Sequence, residues 1–385
     1  MKTKIRDGIC RRGSTWSVVI REKDPATGKS KPVWTGGFLT EDDAKAYRDS
    51  RRNALRLGNA VPRDDITVGE YLDIWLPAHI ATKSLKPSTA HGYRSYLNWY
   101  VIPRIGGMAL QAVRPVTISQ LYTELLQKGK RGTGGPLSPA SVQQVGTILK
   151  QAFKHAVVVY QLLPKSPAAD VPIPRGRSKP QQIWTTQEMQ QLFAVMNDHP
   201  LGPLFRVAAA TGARRGEVLA LRWDDVDFEE RTLRFDSSIV AAGDALVEGS
   251  LKNDLVKVVP VDEDTLEVLR QHRLRQLQDR MASPMWEPAD LVFCNRHGQG
   301  LHPRSLGRIW AKLITQAGVP YIKMHALRHT HATWLLEAGM PLHAVAQRLG
   351  HKDAMVTATV YAQVSAQLSR QGADLFSERI SQPGH

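Results

Sequence analysis

The chain has 385 residues, 42% of them apolar, and 51 basic against 36 acidic residues give it a formal charge of +15 and a pI near 9.9. The length predicts two or three domains, and the charge predicts a polyanionic partner. Two distant cysteines, Cys10 and Cys294, exclude a disulfide framework and a four-cysteine zinc site and suit a reducing cytoplasm, while no apolar run resembles a signal peptide or approaches the ~18 residues of a membrane span.

Residues 1–60 read as a small β-rich module closed by a helix. Trp16 to Arg21 is a short strand, residues 24–29 carry turn chemistry, and Lys31 to Phe38 leads back as its partner. Thr40 caps the following helix, with Asp43 three residues on as its capping-box partner. That helix carries Arg48, Arg51, Arg52 and Arg56, and the first three are candidates for gripping a polyanion.

Residues 64–163 read as mostly helical. A helix follows Thr67 through Tyr71, Leu72, Trp75 and Leu76. A second, capped by Ser88, runs through Tyr93, Tyr96 and Trp99 and is ended by Pro103 and Gly106-Gly107. Tyr93, Tyr96, Trp99 and Tyr100 read as core. A third helix covers Val116 to Gln127, and a Gly-rich basic loop follows from Gly129 to Pro136. Ser141 to Tyr160 is a long amphipathic helix with Val142, Val145, Ile148, Leu149, Ala152 and Phe153 on one face. Lys83, Lys86, Arg94, Lys150 and Lys154 are candidates for a nucleic-acid-facing side.

Residues 164–182 hold five prolines with Arg175, Arg177 and Lys179, and read as an extended basic linker that tracks a nucleic-acid backbone. Residues 183–385 form a second large unit, mainly helical with a small antiparallel sheet. Thr185 and Glu188 make a capping box. Strands are expected over 232–240 and 245–261, and helices over 263–282, 303–317, 326–338 and 341–349. The charge is uneven: +8 over residues 1–63, +6 over 64–175 and only +1 over 176–385. The front of the chain is therefore expected to hold the polyanion and the back to do chemistry.

Six residues in the back half carry that chemistry: Arg214, Lys252, His325, Arg328, His351 and Tyr361. Two guanidinium forks suit non-bridging phosphate oxygens, lysine and histidine move protons, and tyrosine is a nucleophile. Arg214 follows Thr211-Gly212-Ala213 at a helix start, with Glu217 three residues on to pin its guanidinium. Leu219, Leu221 and Trp223 read as core. His325 and Arg328, spaced i,i+3, share a helix face. His325 and His329 are also spaced as metal ligands are. No glutamate follows His325, however, and Arg328 would repel a cation there, so no metal is expected. Leu349-Gly350-His351 comes next, and Tyr361 stands ten residues after His351.

These motifs in this order resemble the tyrosine recombinases, in particular the integrases of phages and integrative elements. The family pattern is Thr-Gly-x-Arg-x-Gly-Glu, a β-hairpin lysine, His-x-x-Arg, Leu-Gly-His and a final tyrosine. The likeness runs over about 150 residues, from Arg214 to Tyr361. Lys252 is followed by Asn253 and Asp254 rather than the usual Thr context, so Lys257 stays an alternative; the turn position before Val256–Val261 favours Lys252. Arg215 rivals Arg214, and the Thr-Gly-x-Arg register favours Arg214.

The resemblance implies a multidomain α+β protein: an arm-type DNA-binding module (1–60), a helical, SAM-like core-binding domain (64–163), the linker (164–182) and a catalytic domain of tyrosine recombinase fold (183–385). It implies a site-specific recombinase in which Tyr361 attacks the scissile phosphate to give a 3′-phosphotyrosyl link. No cofactor is expected, since exchanging one phosphodiester for another conserves bond energy. Implied partners are double-stranded DNA at attachment sites, three further copies of the chain in a tetramer on DNA, a DNA-bending host factor and an excisionase-type directionality factor, with no membrane. The tail after Tyr361 is a candidate docking helix. A type IB topoisomerase and a non-catalytic regulator on the same scaffold are the competing readings.

Overall fold

The computed structural model describes residues 5–23, 30–56, 65–176, 182–251, 256–287 and 289–350. The turn at 24–29, Arg177, Lys252, His351, Tyr361 and the tail after it lie outside the described residues. The chain divides into two compact units, Met1–Arg177 and Ser178–His385.

The first unit opens with an antiparallel sheet in the order β1 (Ile9–Arg12), β2 (Thr15–Lys23), β3 (Ser30–Phe38). Register pairs Ile9 with Val18 and Val18 with Thr35. Alternation along β2 buries Val18 and Ile20 against Ala44 of α1 (Glu41–Arg56). Thr40 caps α1 as expected: the Asp43 amide donates to Thr40 Oγ1 at 3.1 Å, and that hydroxyl donates to the Asp43 carboxylate at 2.7 Å. Strand β1 was not anticipated. It has four residues, two of them arginine, so it offers no alternation to read.

The helical part follows with α2 (Val68–Thr82) and α3 (Pro87–Tyr96), then a π-turn over Leu97–Val101 into α4 (Ile102–Ile105), α5 (Pro115–Lys128) and α6 (Pro139–Val158). Thr67 and Glu70 form a full capping box on α2. Tyr71, Trp75, Leu149 and Phe153 are buried together, and the Tyr71 hydroxyl donates to the Ala152 carbonyl at 2.6 Å. Burial pushes the Tyr71 hydroxyl's pKa up. Trp75→Ala, which empties the middle of this core, is expected to cost about 3–5 kcal/mol of stability in urea unfolding.

Five expectations are corrected here. The cap of α3 is Lys86 rather than Ser88, because Pro87 supplies the first helical position with its φ already set. Pro103 does not end that helix; the i→i+5 turn absorbs the missing N–H, and the chain continues to Gly106. Helix α6 starts at Pro139 rather than Ser141, capped by Ser138, which accepts from the Ser141 amide at 3.2 Å. The stretch read as a linker, 164–182, also begins inside this core, where Ala168 and Val171 are buried. Trp99 departs from the expected aromatic core: it is 44% exposed, with the Arg131 guanidinium 4.1 Å above its ring.

In the second unit, α7 (Thr186–Met196), α8 (Gly202–Thr211) and the short α9 (Arg215–Ala220) lead into β4 (Val226–Asp227), β5 (Thr232–Phe235), β6 (Ser237–Ala242), β7 (Ala245–Ser250) and β8 (Lys257–Pro260). One sheet has the order β4-β5-β8, and β6-β7 is a separate hairpin. Helices α10 (Glu263–Ala282), α11 (Pro303–Ala317), α12 (Ala326–Glu337) and α13 (Leu342–Leu349) complete the described part. Trp184, Phe205 and Trp310 centre the core. Both indoles find backbone acceptors, Trp184 at Pro320 O (2.8 Å) and Trp310 at Ile322 O (2.7 Å). A smaller cluster of Ala332, Leu336, Val345 and Leu349 joins α12 to α13.

Candidate active site

The site is built where α8 stops, α9 starts and α12 and α13 arrive. Thr211 closes α8: its hydroxyl donates to Val207 O at 2.6 Å and accepts from the Ala213 amide at 3.1 Å. Gly212 then reverses the chain with φ of 61°. A Cβ there would lie 2.6 Å from Leu349 Cδ2 and 3.0 Å from His331 Cδ2, so glycine is required by both backbone and packing. Gly216 is required for space alone, since a Cβ would lie 2.9 Å from the Ile239 carbonyl oxygen and closer still to Ser238 Oγ.

Arg214 is the N-cap of α9. Glu217 accepts from its backbone amide at 2.9 Å and from its Nη1 at 2.8 Å, fixing the side chain at both ends. Glu217 is 3% exposed and also pairs with Lys257 Nζ at 2.5 Å. Burial pushes the Glu217 carboxyl's pKa up. Lys257 and Arg214 outweigh that and hold it below its ordinary value.

Lys257 begins β8, opposite Phe235, and is 7% exposed. Its ammonium lies 4.7 Å from the centre of the Phe235 ring. The contact with Glu217 is an ion pair rather than a well-aligned hydrogen bond. Burial lowers Lys257 to about 8 despite Glu217, with Arg328 and Arg214 adding to the fall.

Arg328 joins the motifs. It is 4% exposed, and donates from Nη1 to Gly212 O at 2.8 Å and from Nη2 to Leu349 O at 2.7 Å. Burial, then Arg214, lowers its pKa to about 10, so it stays cationic at neutral pH. His325 caps α12 just ahead of it. Burial, then His329, Arg328, Arg214 and Arg215, hold His325 down to about 4, so it is a neutral imidazole near neutral pH. Arg215 is turned to the Pro303 carbonyl at 3.4 Å and does not share the Glu217 clamp.

The structure thus brings Arg214, Glu217, His325 and Arg328 together as the sequence predicts, and adds Lys257. Lys252 falls between β7 and β8, outside the described residues, as do His351 and Tyr361. Arg348 was not anticipated. It donates to His331 Nε2 (3.0 Å), Ala210 O (3.1 Å) and Pro260 O (3.0 Å), tying α13 to α8 and β8. An arginine immediately before Leu-Gly-His carries no signal that separates it from surface charge.

Among the candidate nucleic-acid contacts, Lys83, Lys86, Arg94, Lys154 and Arg175 are exposed. Lys150 donates to Ala169 O at 3.0 Å. Arg51 is half-buried. Arg48 is largely buried and pairs with Asp7 and with Asp49 at 2.7 Å, while Arg52 pairs with Asp7 at 3.0 Å. These two arginines therefore brace the start of the sheet module. No helix of the described residues is long and apolar enough to cross a membrane.

Two fixed guanidinium groups beside a buried lysine and a neutral histidine have the chemistry to grip a doubly oxygenated anion. Comparison with known proteins gives that class its family. Residues 182–367 match the phage integrase family, and residues 67–126 match the phage integrase N-terminal SAM-like domain; together they cover more than half of the chain. A tyrosine recombinase XerC-like protein of Caldanaerobacter subterraneus subsp. tengcongensis is 29% identical over 346 residues, covering 84% of this chain and 86% of its own. The Tn1549 transposon integrase in complex with a circular intermediate DNA superposes with a TM-score of 0.63 at 18% identity, over 79% of this chain and 99% of its own. A lambda integrase tetramer bound to a Holliday junction superposes with a TM-score of 0.59 at 15% identity, over 94% and 96%. The chain belongs to the phage integrase family of tyrosine recombinases and is a site-specific DNA recombinase.

Proposed function

We propose that the chain cuts and rejoins DNA through a 3′-phosphotyrosyl intermediate and so integrates and excises a phage or other mobile element. The observation that supports this most is Arg328, whose guanidinium ties the loop before Arg214 to the residue two positions before His351. In this reading Tyr361 Oη attacks the scissile phosphorus, the P–O5′ bond breaks, and the phenolic proton passes to His325. A free tyrosine has a pKa of about 10, so it needs such help near neutrality. Arg214 and Arg328 hold the charge that builds on the non-bridging oxygens, and His351 hydrogen-bonds them. Lys252 protonates the departing 5′-oxygen. Glu217 holds Arg214.

The guanidinium pair supplies positive charge that a two-metal nuclease takes from its cations. The front of the chain, with Lys83, Lys86, Arg94, Lys154 and Arg175, grips the duplex. Four strand exchanges call for four active sites, hence a tetramer on DNA, the assembly of the similar lambda integrase on its junction. A DNA-bending host factor and a directionality factor complete the complex in the bacterial cytoplasm.

The test is recombination of the DNA flanking the gene. Two plasmids, each carrying one candidate attachment site, should be joined by the purified protein with a bending factor. Relaxation of supercoils without paired sites, and no joining, would instead favour a topoisomerase.

A further inference from the structure

Glu217 presents a problem of charge. It is buried, ionised, and in contact with Arg214 at two points. Left alone with Arg214 it would form a neutral pair, and a neutral pair is a poor grip for a phosphate. Lys257 changes that sum. Its ammonium reaches Glu217 Oε2 at 2.5 Å, on the carboxylate oxygen that also accepts from the Arg214 amide. Arg214, Glu217 and Lys257 together carry one net positive charge.

We propose that Lys257 is a positioning residue: its buried ammonium neutralises Glu217 and fixes the carboxylate that aims Arg214 at the phosphate. The proposal rests on the recombinase reading of this site. Groups from every side define the ammonium's surroundings: Glu217 of α9, Phe235 of β5, Arg328 of α12, and the α13 cap, where a Cβ on Gly350 would lie 3.5 Å from Lys257 Cδ. His331 of α12 senses the same charge. The role differs from that of a general acid. A proton held in this ion pair leaves only by breaking the pair, whereas an acid at the hairpin must hand its proton to the 5′-oxygen.

A change of leaving group separates the two roles. Nicked duplexes would be prepared with either oxygen or sulfur at the bridging 5′ position of the scissile phosphate. A thiolate departs without a proton, so sulfur rescues loss of an acid and does nothing for a misaimed arginine. Lys257→Met is expected to slow covalent adduct formation on the order of 10²-fold on both substrates, since a small misplacement of a reacting group costs that much. Lys252→Ala is expected to be slow on oxygen and restored on sulfur.

Lys257→Arg keeps the charge and should stay within about tenfold of wild type. The double variant Lys257→Met/Glu217→Gln removes both buried charges, so it should fold and should recover most of the single variant's loss. It carries the test should Lys257→Met fail to fold. Duplex affinity should be unchanged in all of them. Rescue of either Lys257→Met variant to the wild-type rate by sulfur would make Lys257 the acid and overturn the proposal. So would a double variant no faster than a folded Lys257→Met. If the wild-type protein forms an adduct with neither substrate, the recombinase reading itself falls and takes this assignment with it.

Discussion

Arg328→Ala is expected to slow single-turnover cleavage of a nicked duplex by on the order of 10²–10³, the usual loss when one preorganised donor to a developing oxyanion is removed. The side chain is buried and holds two backbone carbonyls, Gly212 O and Leu349 O. Its loss therefore removes a phosphate grip and leaves two buried acceptors unsatisfied, at about 1–3 kcal/mol each. Arg328→Lys keeps a charge but cannot span both carbonyls, because an ammonium lacks the planar fork. It should fall nearer to alanine than to wild type. A thermal melt run beside the kinetics separates the two effects. A variant within a few-fold of wild type in rate would remove Arg328 from the chemistry.

Glu217→Ala should be the most destabilising single change in the site, by about 3–5 kcal/mol near neutral pH, because it leaves the Lys257 ammonium buried without a partner. The sign of its pH dependence follows from Lys257. Burial lowers that group to about 8 in the folded protein, whereas an unfolded lysine holds its proton to about 10.4. Between those values the unfolded chain binds more protons, so stability through this group rises with pH. Wild type and variant share that rise; removing Glu217, which holds Lys257 up, lowers the group further, so the penalty should shrink as pH climbs toward about 8 in urea titrations. Glu217 behaves oppositely in the wild type. Its pKa is depressed, so its contribution is present above the ordinary carboxylate range and is lost as pH falls through the folded value. A variant as stable as wild type at neutral pH, or a penalty that grows with pH, would contradict the burial of this pair.

The sequence made much of this site readable because its glycines and charges serve local needs. Gly212 and Gly216 stand where the backbone turns left-handed or where a strand presses on a helix, and Glu217 can reach the Arg214 backbone only from three residues on. His325 and Arg328 share a helix face, so their spacing was informative too. The hairpin lysine was less legible. Lys252 and Lys257 differ by five positions in a strand-like run, and only packing against α9 shows that Lys257 turns inward to Glu217. Arg348 is similar, for its three partners come from distant segments.

In the fold, strong periodicity located the helices, while their ends moved by a few residues. Pro87 and Ser138 each took a start that a neighbouring serine had suggested. The π-turn at Leu97–Val101 follows no rule of propensity; it accommodates Pro103 within a continuing helix. Residues 164–173 look like a spacer by proline content, yet Ala168 and Val171 find a core that only the folded helices create.

The most direct test of the whole account is covalent capture. A duplex nicked near the cut site loses the short 5′-hydroxyl fragment after cleavage and cannot be resealed. Wild-type protein should accumulate a protein–DNA adduct, with the nucleotide mapped by mass spectrometry to Tyr361 and joined through its 3′-phosphate. Tyr361→Phe should bind the same duplex and form none. An adduct that persists in Tyr361→Phe, or one attached through a 5′-phosphate, would contradict the mechanism.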